Sequence, residues 1–427
     1  MPDLASPPAP PRRATFAAPS VSSDAPGGAR PSAAPPISAG ELLAAPAPTR
    51  LVSLDAFRGL TIIGMILVNN PGTWSAMFGP LKHAPWHGWT PTDLVFPFFL
   101  FIVGVSIALA YARPLAENRP RGPLAVKASR RALWLFALGV LMAAFPFFSF
   151  TDGAVAGRDY SMLRIMGVLQ RIAVCYLAAV LLHLYASRRA LWVTLWGILV
   201  AYTVLLLFVP VPMLGRPHID LAGSTWPAWL DRQILTSDHL YAGSTPPRTS
   251  DPEGLASTLP AIASTLFGLW AGLRLLRDDL TGEQKVLHLL LAGAGLVTLG
   301  YLWSWALPLN KQLWTSSYAV FTAGQALCGL GAFYWLFDLR GKGRWAHPLV
   351  VYGVNAITVF VLSGIVAKTL GAVRIAPDLP LQKAIFDTVF RPLGPIKVAS
   401  LLYALTWIGG FYGLLSWMHR RRWIVKV

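Results

Sequence analysis

His83 to Leu109 reads HAPWHGWTPTDLVFPFFLFIVGVSIAL, a polar cluster set directly against the apolar run Leu94 to Leu109. The cluster holds His83, Trp86, His87, Thr90, Thr92 and Asp93. A run of that length and hydropathy is the body of a membrane helix. Hydrocarbon solvates neither an imidazole nor a carboxylate, so polar groups at the mouth of such a helix call for a reason. Two reasons are open. Asp93 caps the helix and complements its dipole in the headgroup layer, or His83 and Asp93 form an active site at the membrane surface.

Composition extends the membrane reading to the whole chain. Hydrophobic residues supply 55% and charged residues 13%, against about 25% charged in soluble domains. The net charge of +17 does not point to nucleic acid. The cations lie in short segments between apolar runs, as positive-inside topology requires, and no nucleic-acid motif accompanies them. Cys175 and Cys328 both sit inside apolar runs and give neither a disulfide framework nor a metal site. Residues 1–50 differ from the rest, with Pro, Ala and Ser supplying 31 of the 50. They read as a disordered cytoplasmic arm without a secretory core.

Ten stretches have the length and apolarity of spans: 54–70, 93–112, 131–148, 163–186, 190–209, 258–276, 285–306, 315–336, 348–369 and 397–418. The fold class is therefore an all-α polytopic membrane protein with about ten transmembrane helices. With ten spans, the clusters around Arg113–Arg131, Arg188, Arg274–Lys285, Arg340–Arg344 and Arg420–Lys426 all fall on one side. The positive-inside rule makes that side the cytoplasm, with both termini inside. Loops 71–92, 149–162, 210–257, 307–314 and 370–396 are expected on the opposite face. Two of them, of 48 and 27 residues, are too long for plain connectors and are expected to form a lid.

Several polar residues carry both a functional and a plain reading. Gln170 and Arg171 lie about two turns into the fourth span, and a buried arginine needs a partner, for which Asp93 is available. Asn69 ends the first span on the outer face. Asp251, Glu253, Asn310 and Lys311 fall on the same face, and Asn355 lies inside the ninth span. These are candidate substrate-binding residues, but Asp251–Gly254 equally well opens a helix and Asn310–Lys311 a turn. Asp55 and Arg58 have i,i+3 spacing for an intrahelical pair. The tryptophans at 86, 89, 226, 229, 303, 305 and 314 fit an aromatic belt. No phosphate loop, nucleophile elbow or helical His pair is present, so no metal is expected.

The same residues carry a resemblance. RLVSLDAFRGL from Arg50, ILVNNPG from Ile66, HAPWHGWTPTDLVFP from His83 and GVLQR from Gly167 run in order along the chain. They are followed by DHLY from Asp238, DPEG from Asp251, LNKQLWTSSY from Leu309 and GVN from Gly353. Together they resemble the family of heparan-α-glucosaminide N-acetyltransferase and its bacterial NagX-type relatives. The resemblance covers about residues 50 to 420 and makes 51–427 a transmembrane acyltransferase domain. It implies acetyl-CoA as donor and the amine of glucosamine or a related amino sugar as acceptor. His83 matches the family's catalytic histidine, and Asn69 and Asp93 match positions lining its pocket. A homodimer is a further expectation from the family. No counterpart of the lysosomal enzyme's N-terminal lumenal domain is seen, which favours a free or cell-wall amino sugar over a polymer.

An imidazole titrates near neutrality and suits a base that takes the proton of the attacking amine, or a nucleophile that carries the acetyl group. Asp93 would orient it. Arg58, Arg130 and Arg131 are the candidate cations for the phosphates of coenzyme A. The rival reading is an amino-sugar transporter with a midplane site, although the chain shows no repeat of half its length.

Overall fold

A computed structural model of the chain describes residues 51–151, 154–212, 214–243, 248–376 and 378–425. The arm expected over 1–50 lies outside the described residues. The main helices are α1 (Val52–Asn69), α2 (Val95–Ala116), α3 (Arg121–Ala144), α4 (Val168–Tyr185) and α5 (Arg188–Phe208). They continue with α6 (Trp226–Leu235), α7 (Leu255–Leu275), α8 (Gly282–Trp303), α9 (Ser316–Phe333), α10 (His347–Val354) and α11 (Ala356–Ala372). The short α12 (Leu381–Ile385) precedes α13 (Ile396–Arg420). Two small antiparallel hairpins, Phe148–Thr151 with Ala154–Gly157 and Arg374–Ala376 with Leu379–Pro380, were not foreseen from sequence.

The protein is a polytopic, predominantly helical membrane protein. All ten expected stretches contain helix. Among the described residues, eight helices are long and apolar enough to cross a membrane, and a ninth span would be α10 with α11, bent by 76° at Asn355. The remaining stretch is corrected in its bounds. It was expected over 131–148, but α3 starts at Arg121 and includes Lys127, Arg130 and Arg131. Long cationic side chains are good helix formers, and their charge does not interrupt the backbone ladder.

Burial sorts the helices. In α7, 78% of the most apolar window is buried, against 22% in α5 and in α8. Apolar helices that stay exposed to this degree are those that face lipid. The core joins α2, α4, α7 and α9 through residues such as Leu100, Phe101, Ala179, Phe267 and Leu327. Contact between α2 and α7 is close because glycines face backbone. A Cβ at Gly104 would lie 1.9 Å from the Thr265 carbonyl oxygen, and one at Gly268 would lie 1.9 Å from that of Phe101.

Helix starts are secured by side chains. Asp338 accepts the N–H groups of Val52 and Ser53 at 3.0 and 3.1 Å, which satisfies the first turn of α1 from a distant element. The turn Pro91–Leu94 leads into α2 through a capping box of Thr90 and Asp93. The long loops fold against one another. Trp86 Nε1 donates to the Ile219 carbonyl at 2.8 Å, and Gly88 N–H to that of Leu309 at 2.7 Å. Loops 71–92, 210–257 and 307–314 therefore meet at the end of the bundle that carries His83.

Candidate active site

His83 lies in the loop between α1 and α2, and Asp93 in the turn that opens α2. Their contact is short: His83 Nδ1 is 2.6 Å from Asp93 Oδ1. The second oxygen, Oδ2, accepts the N–H groups of Ala84 and Thr90 at 3.0 Å and the Thr90 hydroxyl at 3.2 Å. One carboxylate thus does both things left open by the sequence. Its Oδ2 caps the helix, and its Oδ1 orients the imidazole. The Tyr318 hydroxyl fixes the same turn by donating to the Asp93 carbonyl at 2.5 Å. Asp93 is 1% exposed and His83 47%. A dry carboxylate that only accepts hydrogen bonds assigns the ring proton to Nδ1 and leaves Nε2 as a base.

Lys311 completes the cluster. Its Nζ lies 3.0 Å from His83 Nδ1, 3.4 Å from Nε2 and 3.4 Å from Asp93 Oδ1. Burial pulls this ammonium below the usual lysine range, while Asp93 and Glu253 oppose the change. Asn310 is fully buried and commits its amide to structure. Its Oδ1 accepts Leu313 N–H at 2.8 Å, and its Nδ2 lies 3.4 Å from His87 Nδ1. His87 in turn meets Asp220 at 3.2 Å, so it is held apart from the His83–Asp93 pair.

Beside this cluster lies a second one. Arg164 donates to both oxygens of Asp251, at 2.8 and 2.5 Å, and also to Glu253. Its guanidinium stacks 4.7 Å over the Tyr241 ring. Burial disfavours the charge of Glu253, but Arg164 and Arg171 outweigh it and hold the carboxyl below its ordinary range. Arg171 was expected to pair with Asp93, and this is corrected. The Arg171 side chain is fully buried and donates from Nη2 to the Gly254 carbonyl at 3.2 Å and to the Ser257 hydroxyl. It lies 5.2 Å from the Trp314 ring and 5.9 Å from Phe96. Asp93 already has His83 and Lys311, and Arg171 is held by oxygen dipoles and ring faces, with the charges of Glu253 and Asp251 acting from longer range. Trp314 is also corrected. It is no belt residue but fully buried, with φ 52° and its Nε1 donating to Ser264 at 3.1 Å. A bulky residue in that backbone region persists only where surrounding packing enforces it.

Asp231 from α6 caps α7 by accepting Leu255 N–H at 2.8 Å. Its other oxygen, buried without a partner, would lie 1.8 Å from a Cβ at Gly254. Gly254→Ala is expected to cost about 1–3 kcal/mol of stability through this overlap, read as a lower thermal midpoint of purified protein. Asp231→Ala in the same chain clears the space and should recover part of the loss. A Gly254→Ala protein as stable as the parent would show the segment to be free to shift. Burial pushes the Asp231 carboxyl up to about 7, with Leu255 N–H acting against it. A raised carboxyl favours the protonated folded state. That stability is complete below the ordinary carboxylate range and is lost as pH rises through about 7. Asp231→Asn should therefore flatten the fall in midpoint between pH 5 and 8.

At the other end of the bundle, α1, α2, α3, α4, α10 and α11 enclose a cavity of about 1600 Å³. Arg58, Lys127, Arg130 and Arg131 line it, together with apolar residues that include Phe99, Leu135 and Ile172. The three arginines singled out from sequence come together here, and Lys127 joins them. Arg58 donates to Asp55 at 3.0 Å, the expected i,i+3 pair, and to Ser106 at 2.9 Å. Arg131 stacks 5.1 Å over the Tyr176 ring.

Two of the remaining candidates, Gln170 and Asn355, commit their amides outside the His83 cluster. Asn69 is exposed at the end of α1. Gln170 is buried, donates to the Ile165 carbonyl at 3.0 Å and fills the space left by Gly139. Asn355 occupies the break between α10 and α11. It donates to the Trp423 carbonyl and accepts Val425 N–H, each at 3.1 Å, so its amide holds the segment after α13 beside the cavity that Val425 lines. Its place in the ninth span was legible. Its partner, 70 residues away in sequence, was not. Among the residues sequence reading passed over, Arg164 had one signal, a cation just before an apolar run in a chain with a later acidic pair. Tyr318 closed one of the motifs of the resemblance without being given a role, and Asp231 had no signal.

Comparison with known proteins gives two consistent results. The family model described as "Heparan-alpha-glucosaminide N-acetyltransferase, catalytic" matches residues 50–299. That region holds His83, Asp93, Arg164, Asp251 and Glu253 but not Asn310, Lys311 or Asn355. The Homo sapiens heparan-alpha-glucosaminide N-acetyltransferase is 29% identical over 365 aligned residues, covering 74% of this chain and 52% of that protein. Its Mus musculus counterpart is 28% identical over 364, covering 73% and 53%. The chain spans about half the length of the curated relatives it matches.

Proposed function

This chain belongs to the heparan-alpha-glucosaminide N-acetyltransferase catalytic family, and on that premise we propose that it moves an acetyl group from cytoplasmic acetyl-CoA through the membrane to the amine of glucosamine or a related amino sugar. One observation carries the reading: an imidazole backed by a buried carboxylate stands at one end of the bundle, and a cavity rimmed by cations enters from the other.

The donor cavity suits coenzyme A by its chemistry. Four cations at Arg58, Lys127, Arg130 and Arg131 answer phosphates, and the apolar wall beyond them answers a pantetheine arm. Acetyl-CoA supplies an activated thioester when bound. Phe99 lines the cavity six residues along α2 from Asp93, a rise of roughly 9 Å, which the extended arm would cross to reach His83. The positive-inside rule places this end in the cytoplasm and the His83 end outside.

At His83, Nε2 takes a proton from the acceptor amine as its nitrogen attacks the thioester carbonyl. The C–N bond forms, the C–S bond breaks, and the proton passes from the ring to the departing sulfur. Asp93 holds the imidazole in the orientation and tautomer this requires. The amino sugar reacts as its neutral amine, the ammonium form having first given its extra proton to water, and Glu253, at the edge of its cluster, stands as an acceptor for the sugar.

The reading is tested in proteoliposomes, with radiolabelled acetyl-CoA on the Arg130 side and glucosamine on the His83 side. Labelled N-acetylglucosamine on the far side is the expected result. Movement of glucosamine without acetylation would favour transport. Arg130→Ala should raise the KM for acetyl-CoA about tenfold, the scale of one hydrogen bond to a charged group, and leave kcat nearly unchanged. An unchanged KM would remove Arg130 from the donor site.

A further inference from the structure

Lys311 has a position that ordinary substrate binding does not explain. It stands on a turn braced by Asn310, whose backbone N–H donates to Thr315 Oγ1 at 3.1 Å, and docked to the His83 loop through Gly88 and Leu309. Its Nζ touches both ring nitrogens of His83, at 3.0 and 3.4 Å. An in-plane site between the two nitrogens would collide with Cε1, so the ammonium lies over the ring face. The in-plane direction of Nδ1 is taken by Asp93 at 2.6 Å.

We propose that Lys311 is a positioning residue for the His83 base: its ammonium over the ring face, set against the in-plane Asp93 carboxylate, keeps the imidazole neutral with Nε2 free. This deepens the acetyltransferase reading and rests on it for its catalytic meaning. The physical argument is a balance of two charges. Asp93 alone would stabilise an imidazolium, which can neither accept a proton nor attack. A second cation within about 4 Å of the ring opposes that charge. The same repulsion then eases the proton off the ring toward the leaving sulfur.

Among the described residues, two charged groups are recorded against the ring. Asp93 comes from the turn before α2 and Lys311 from the 309–314 turn. Glu253, ahead of α7, acts on Lys311 and is itself held by Arg164. His87, on the same loop, is turned to Asp220. Burial acts against the charge of Lys311 while Asp93 and Glu253 support it.

The test needs no acetyl transfer. Diethyl pyrocarbonate modifies an imidazole only in its unprotonated form, and mass spectrometry of the His83 peptide gives the rate at this ring across pH in the full-length protein. In Lys311→Met the rise of this rate should move to higher pH by about one unit or more, as expected when a like charge is removed. Lys311→Arg keeps a cation and should leave the profile near that of the parent. The acid limb of the kcat profile should move in the same direction in Lys311→Met, with kcat recovering at high pH. A residue that merely supports the turn would lower kcat equally at every pH. Identical labelling profiles in parent and Lys311→Met would overturn the proposal, as would a displaced profile in Lys311→Arg. Should Lys311→Met not fold, Lys311→Gln gives the same comparison. A shifted labelling profile in a protein without acetyl transfer would sink the acetyltransferase reading and leave the charge balance standing.

Discussion

His83→Ala is expected to lose acetyl transfer to glucosamine by about 10²-fold or more, the scale of a removed general base, while its thermal midpoint stays near that of the parent. The geometry supports both halves of this result. His83 is 47% exposed, so truncation opens no dry cavity. Its contact with Asp93 is replaceable by water at an open edge, and the capping bonds to Asp93 from Ala84 and Thr90 remain. The nitrogen that would take the proton has no substitute, since His87 is turned to Asp220 and Asn310. His87→Ala should therefore lose far less. The two purified variants, compared by radiolabelled acetyl transfer with midpoints measured alongside, decide the matter. Equal modest losses in both, or full activity in His83→Ala, would take His83 out of the mechanism.

The second large effect is structural. Arg171→Ala should abolish the yield of folded protein, or lower its midpoint more than any substitution at the open end of the site. Arg171 is fully buried, between the Gly254 carbonyl, Ser257 and the faces of Trp314 and Phe96. Truncation opens a void beneath Trp314, a change that costs a few kcal/mol, and removes one of three side-chain donors to the Gly254 carbonyl, which keeps the hydroxyls of Ser257 and Thr258. Arg171→Lys keeps the charge but loses the planar group that stacks on Trp314, so it should rescue poorly. Fluorescence-detected size exclusion of the two variants in detergent measures the outcome. A well-folded Arg171→Ala protein would show that the segment before α7 does not depend on this cation.

The sequence by itself determined the membrane class, most of the apolar stretches that became long helices and the identity of the His83–Asp93 pair, but not the count of spans, since eight or nine of the ten expected qualify among the described residues. These follow from properties that are local along a chain. A span needs only enough consecutive apolar residues, and Thr90, Pro91 and Asp93 sit within one turn of the helix they open. The three arginines of the donor cavity were also legible as types, since phosphate calls for cations. What only the tertiary structure decided is which groups meet. Arg171 went to Gly254 and Ser257 because helix packing set α7 against α4, while Asp93 already had two partners. Lys311 reached the face of a ring 228 residues away in sequence. Gln170 was turned into the notch at Gly139 and Asn355 was spent on the segment after α13. Hydropathy fixes how deep a residue sits in the bundle. Its rotation about the helix axis, and therefore its partner, is set by side-chain packing against neighbouring helices, which no single stretch of sequence contains.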